Sequence, residues 1–115
     1  MARPICWWEI AGKDAAALQK FYADLFDWKV NTDNPLGYGT VNTGGNGSVD
    51  GGIYASDEPK QPVIYAAVPD LQATLDKVAQ LGGTTVTPPT EVPGMVTFAL
   101  FSDPAGNIFG LVKDQ

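Results

Sequence analysis

The 115-residue chain predicts an α+β fold built from two tandem βαβββ modules. Three observations carry the prediction. Two stretches show apolar residues at helical spacing, each is flanked by short aromatic and β-branched runs, and an offset of 56 residues lays one half of the chain on the other.

The first module opens with Pro4 to Ile10 (PICWWEI), a strand by composition, and Asp14 follows as a helix N-cap. Leu18, Phe21, Tyr22 and Leu25 then recur as one apolar helical stripe, with Gln19, Lys20 and Asp24 falling elsewhere. Three shorter β-like runs complete it, Trp28 to Thr32, Tyr38 to Thr43 and Val49 to Ala55, divided by the turn signals Asn34-Pro35 and Gly44 to Gly47. The glycine-rich stretch lacks the lysine and following helix of a phosphate loop, so it reads as a hairpin turn. The polar segment Asp57 to Gln61 links the halves, which places the first module at about residues 4–56 and the second at about 62–113 of a single domain.

In the second module Pro62 to Val68 is a strand and Asp70 an N-cap. Leu71, Leu75, Val78 and Ala79 form a helical stripe that stops at Gly82-Gly83. The runs Thr84 to Pro88, Met95 to Ser102 and Asn107 to Val112 follow. The offset that carries Asp14 onto Asp70 also carries Leu25 onto Leu81 and Lys29-Val30 onto Thr85-Val86, the mark of an internal duplication.

Composition narrows the function. Apolar residues make up 44% of the chain and charged residues 17%, as in an ordinary globular domain. Thirteen acidic against seven basic side chains give a formal charge of −6, which argues against nucleic acid and anionic membranes as partners. With no long apolar segment and no signal-peptide pattern, the expected location is the cytoplasm, and a single cysteine, Cys6, agrees with a reducing compartment. The chain contains no histidine, which removes the commonest metal ligand and the commonest acid-base group; Cys6 without an activating histidine reads as a small buried apolar residue.

The paired modules, the opening WWEIAGKDAAALQKFYADLFDWKV and the closing DPAGNIFGLV resemble the vicinal oxygen chelate superfamily of glyoxalase I, bleomycin-resistance proteins, fosfomycin-resistance enzymes and extradiol dioxygenases. The most specific elements are Phe21-Tyr22 with Phe26-x-Trp28, and the hairpin Asp103-Pro104-x-Gly106-Asn107, where Gly106 supplies a positive φ. The resemblance implies the glyoxalase/bleomycin-resistance/dioxygenase fold, a cup-shaped mixed sheet with helices outside, and a homodimer whose cups form within one chain or across the interface. It also implies four metal-ligand addresses, on the first and last strand of each module. They fall on Trp7, Val63, Gly110 and either Ile53 or Tyr54, and among these only Tyr54 carries an oxygen. The expectation is therefore a protein with no metal and no cofactor.

Strand alternation turns Ile5, Trp7 and Glu9 inward and Cys6, Trp8 and Ile10 toward the helices, with Val63, Tyr65, Ala67, Ile108, Gly110 and Val112 also inward. The expected lining is aromatic and apolar with one carboxylate, and Gly110 opens space. Trp7 and Tyr65 offer flat faces for stacking or else fill the core, whereas Trp8 and Trp28 pack helix against sheet. Glu9 either serves as a general base, since apolar surroundings disfavour an ionised carboxylate, or hydrogen-bonds a neighbouring strand or solvent. Three functions follow: a metal-free binder of a small, aromatic or cationic molecule at Trp7, Glu9, Tyr54, Val63, Tyr65, Ile108 and Gly110; a metal-independent lyase or isomerase using Glu9; or a structural or regulatory dimer module with a self-filled cavity.

Overall fold

The computed structural model describes residues 2–34, 36–58 and 60–114. Pro35 of the Asn34-Pro35 turn and Pro59 of the linker lie outside the described residues. Eight strands and two helices are present among them, in the order β1 (Ile5–Gly12), α1 (Ala15–Phe26), β2 (Lys29–Asn31), β3 (Gly39–Asn42), β4 (Gly51–Ala55), β5 (Val63–Val68), α2 (Leu71–Gln80), β6 (Thr84–Val92), β7 (Val96–Ser102) and β8 (Ile108–Lys113). The duplicated βαβββ order is thus observed, as an α+β structure. By contacts the chain divides into two units, Trp7–Val63 and a unit of Met1–Cys6 with Ile64–Gln115.

In the Trp7–Val63 unit the strands lie in the order β2-β3-β4-β1, with β1 parallel to β4 and the other pairs antiparallel. Asp14 caps α1 as expected, its side chain accepting the Ala17 N–H at 3.0 Å. Asp27 closes the helix in the left-handed region at φ 61°, a conformation that aspartate tolerates. One face of the sheet packs on α1, burying Val41 and Ile53 to 1% and 0% exposure, each worth about 1.5–3 kcal/mol in apolar burial.

The predicted stripe of α1 needs correction. Phe21 and Leu25 are each 57% exposed, and the most buried residue of the helix is Gln19. Its amide donates to the Ile53 carbonyl at 2.9 Å, and Gly39 beneath it has no Cβ to obstruct the amide. A polar side chain that satisfies a sheet carbonyl thus takes the most buried position of the helix, while Phe21 and Leu25 stay exposed. Trp8 and Trp28 pack as predicted, with ring centroids 5.3 Å apart, and Tyr22 stacks on Trp28 at 5.9 Å.

The second unit orders its strands β5-β8-β7-β6, with β5 and β8 parallel and β8-β7-β6 antiparallel. Asp70 caps α2 by accepting the Ala73 N–H at 2.9 Å, the counterpart of Asp14 and Ala17. Val68, Leu71, Leu75, Ala99 and Leu111 form its core. Strand β6 runs on to Val92, past the predicted end at Pro88. It pairs with β7 alone at the margin of the array, with register shifts between Thr85 and Thr87 and between Thr87 and Thr90, so the missing N–H groups of Pro88 and Pro89 break no ladder. At the Asp103 hairpin Gly106 has φ 90°, and Asp103 accepts from Ala105, Asn107 and the Asn107 amide, which holds its carboxyl below the usual aspartate range. Burial, followed by the charge of Asp114, raises the Cys6 thiol and disfavours its thiolate.

Candidate functional site

In the Trp7–Val63 unit, α1 covers one face of the sheet and leaves the other without a helix. The register defines that helix-free face: Asn31 stands opposite Thr40, Thr40 opposite Gly52, and Gly52 opposite Glu9, a row that crosses all four strands. Alternation adds Trp7 beside Glu9, Tyr54 beside Gly52, and Tyr38 beside Thr40. Ile10 and Ile53 occupy the opposite face, so Ile53 is core and Tyr54 shares the face of Glu9.

Tyr38 organises the site, and sequence reading passed over it. Its ring lies over Gly52, where any Cβ would overlap the phenol. The Trp7 indole N–H donates to the Tyr38 hydroxyl at 3.0 Å, and that hydroxyl donates to Glu9 Oε2 at 2.8 Å. The Tyr54 ring stacks on Tyr38 at 5.9 Å and 19°. Asn34 anchors the Tyr38 backbone, accepting its N–H at 3.0 Å and donating to its carbonyl at 2.6 Å. Burial first, then the Glu9 charge, pushes the Tyr38 hydroxyl far above the ordinary phenol range, and the same two causes raise Tyr54. Tyr38 is thus held as a neutral phenol, suited to hydrogen bonding and unsuited to proton abstraction. Two signals pointed to it: Tyr38 keeps the alternation of β3 one residue beyond the strand, and Gly52 leaves a gap in the middle of the face.

Along β2 and β3 the face is polar. An open groove of about 880 Å³ runs along this face beside Trp7, and Lys29, Asn31, Asp33, Thr40, Asn42 and Asp50 contribute to it. Its volume lies within the range of about 300–1,000 Å³ common to small-molecule pockets, but the side chains are mostly polar. The expectation considered β1, β4, β5 and β8 and left out β2 and β3, whose alternate residues supply this polar half.

In the second unit Tyr65 pairs with Gly110, and Ala67 with Val112, on the face opposite the core. Gly110 does not open free space, as a Cβ there would overlap the Tyr65 ring, which is buried to 6% exposure. Ile108 is 41% exposed and pairs with Ser102, and Val63 begins β5. Tyr65 lies 56 positions after Glu9, and each stands opposite a glycine on the last strand of its module, Gly110 and Gly52. By register, Gly52 thus stands in the first module where Gly110 stands in the second. Trp7, Gly52, Val63 and Gly110 offer no donor side chain, and a tyrosine ring covers each of the two glycines. These positions do not fit a divalent metal. Among the described residues no three aspartate, glutamate, cysteine or histidine side chains converge on a common point.

The family model described as a glyoxalase-like domain matches residues 8–112. An anthracycline biosynthesis protein, DnrV of Streptomyces peucetius, is 29% identical over 91% of this chain; the chain spans only 45% of that relative's length. Among solved structures, a glyoxalase/bleomycin resistance protein/dioxygenase superfamily member from Vibrio splendidus superimposes with a TM-score of 0.68 at 17% identity, over 98% of this chain and all of the other. Methylmalonyl-CoA epimerase from Mycobacterium tuberculosis superimposes with a TM-score of 0.70 at 16% identity, over 96% of this chain and 87% of the other. At such identities the structural likeness is one of fold alone.

Proposed function

The chain belongs to the glyoxalase-like family of the vicinal oxygen chelate superfamily, and from that premise we propose that it binds a small molecule on the helix-free face of its Trp7–Val63 unit without a metal. The observation that carries this reading is the Trp7–Tyr38–Glu9 hydrogen-bonded chain beside an open groove. Such a chain locks an indole, a phenol and a carboxylate in one arrangement before any ligand arrives, which lowers the ordering cost of binding. The indole of Trp7 offers a flat surface for an aromatic ligand, and Tyr54 adds a second ring on the same face.

Catalysis by Glu9 gains less support, because one carboxylate oxygen already accepts the Tyr38 proton, and that phenol is held neutral. Glu9 reads better as the anchor of the chain. The test is a screen of flat aromatic compounds against chelator-treated protein by thermal shift and tryptophan emission. Binders should raise Tm and change the emission, with the emission change lost in Trp7→Phe. Hits whose affinity ignores both Trp7→Phe and Glu9→Gln would place the binding elsewhere. The cellular location, cytoplasmic by composition, and a homodimeric state belong to the same proposal; no helix among the described residues is long and apolar enough to cross a membrane.

A further inference from the structure

The polar half of the groove has a donor pattern that specifies more than an aromatic ligand. Lys29 stands directly opposite Asn42, and Asn31 directly opposite Thr40, so these four side chains form a compact block on the helix-free face. Each asparagine oxygen is already committed. Asn31 Oδ1 accepts the Asp33 N–H and Asn42 Oδ1 accepts the Gly44 N–H, both at 2.7 Å. These bonds fix the orientation of both amides, since a flip would place an NH₂ group against a backbone N–H. The two amide NH₂ groups and the Lys29 ammonium are left as donors with no protein partner among the described residues.

Acceptors lie beside them. Among the described residues Asp50 uses only Oδ1, which accepts from the backbone N–H and the hydroxyl of Thr43, and the Asp33 carboxylate accepts no hydrogen bond. A phosphate or carboxylate ligand would be drawn to Lys29 but would meet two aspartates in a protein of net charge −6. A cationic ligand would leave three donor groups unmatched. Alcohol hydroxyls satisfy both sets, because each both donates and accepts.

We infer that this face takes an aromatic glycoside, with the aglycone ring on Trp7 and the sugar hydroxyls on Lys29, Asn31, Asn42 and the neighbouring aspartates. The inference rests on the reading of the same face as a small-molecule site and names the class of ligand.

The experiment is isothermal titration of the full chain with phenol and with the phenyl glycosides of glucose, galactose and mannose. At least one glycoside should bind about tenfold more tightly than phenol, the increment of roughly two neutral hydrogen bonds. That ratio should fall toward unity in the Asn31→Asp, Asn42→Asp double variant. Aspartate keeps the oxygen that accepts from Asp33 or Gly44 and removes only the NH₂ donor, so the turns survive; circular dichroism and Tm verify the fold. Lys29→Met provides an independent reduction of the ratio. Equal binding of phenol and all three glycosides overturns the inference and leaves the small-molecule reading standing. A glycoside preference that persists in both variants overturns it as well, by placing the sugar elsewhere, and binding of none of the four compounds overturns both.

Discussion

A single hydroxyl holds the site together. Tyr38→Phe keeps the ring over Gly52 but leaves the Trp7 indole N–H without its acceptor and Glu9 without one donor. It should cost about 1–3 kcal/mol in urea unfolding and loosen Trp7, read as a red-shifted tryptophan emission. Gly52→Ala, which forces the phenol away, should cost a similar amount, about 1–3 kcal/mol. The raised Tyr38 and Tyr54 hydroxyls also set a pH dependence. Their neutral forms are favoured by the fold, so this contribution is complete below the unfolded tyrosine pKa of about 10 and is lost as pH rises above it, where only the unfolded chain releases protons. Stability measured from pH 9 upward should therefore fall, and fall less steeply in Tyr38→Phe. The faces of Trp7 and Glu9 were legible because alternation along β1 is strict. Tyr38 was not, because it precedes β3 and reaches the site across a strand position whose residue has no side chain.

At the level of elements, both helix starts were legible, since an N-cap is a local device: the Asp14 and Asp70 side chains each accept an N–H three residues on. Asp14→Ala and Asp70→Ala should each cost about 1 kcal/mol by chemical denaturation. The buried face of α1 was not legible, because a glutamine enters a core only when a particular carbonyl, here that of Ile53, faces it across the contact. Gln19→Leu should destabilise the protein by about 1–3 kcal/mol despite being more apolar, since it removes a buried hydrogen bond to that carbonyl. A stabilised variant would contradict the assignment of Gln19 as a polar anchor. The continuation of β6 through Pro88 and Pro89 was hidden for a related reason. Proline argues against a strand only where both edges are paired, and edge position is a property of the whole array.

For the molecule as a whole, the duplicated βαβββ order and the family were legible from periodicity and the 56-residue offset, while the character of the site was only half legible. The addresses that the family uses for metal fall on Trp7, Val63, Gly110 and either Ile53 or Tyr54; the register adds that Gly52 stands opposite Glu9 as Gly110 stands opposite Tyr65, and that a tyrosine ring covers each glycine. The polar groove along β2 and β3 escaped notice because no metal address lies there. Membership of the family fixes the fold without fixing the chemistry. Purified protein should carry well below one equivalent of Mn, Fe, Ni or Zn by elemental analysis, and adding these ions should leave Tm unchanged. The most direct test of metal-free binding through the Trp7 face is a tryptophan-emission titration of chelator-treated protein with an aromatic ligand, run beside Trp7→Phe. The account predicts a saturable change in the native chain that is absent from the variant and indifferent to added divalent metal. Binding that appears only after metal is restored, or that survives unchanged in Trp7→Phe, would contradict it.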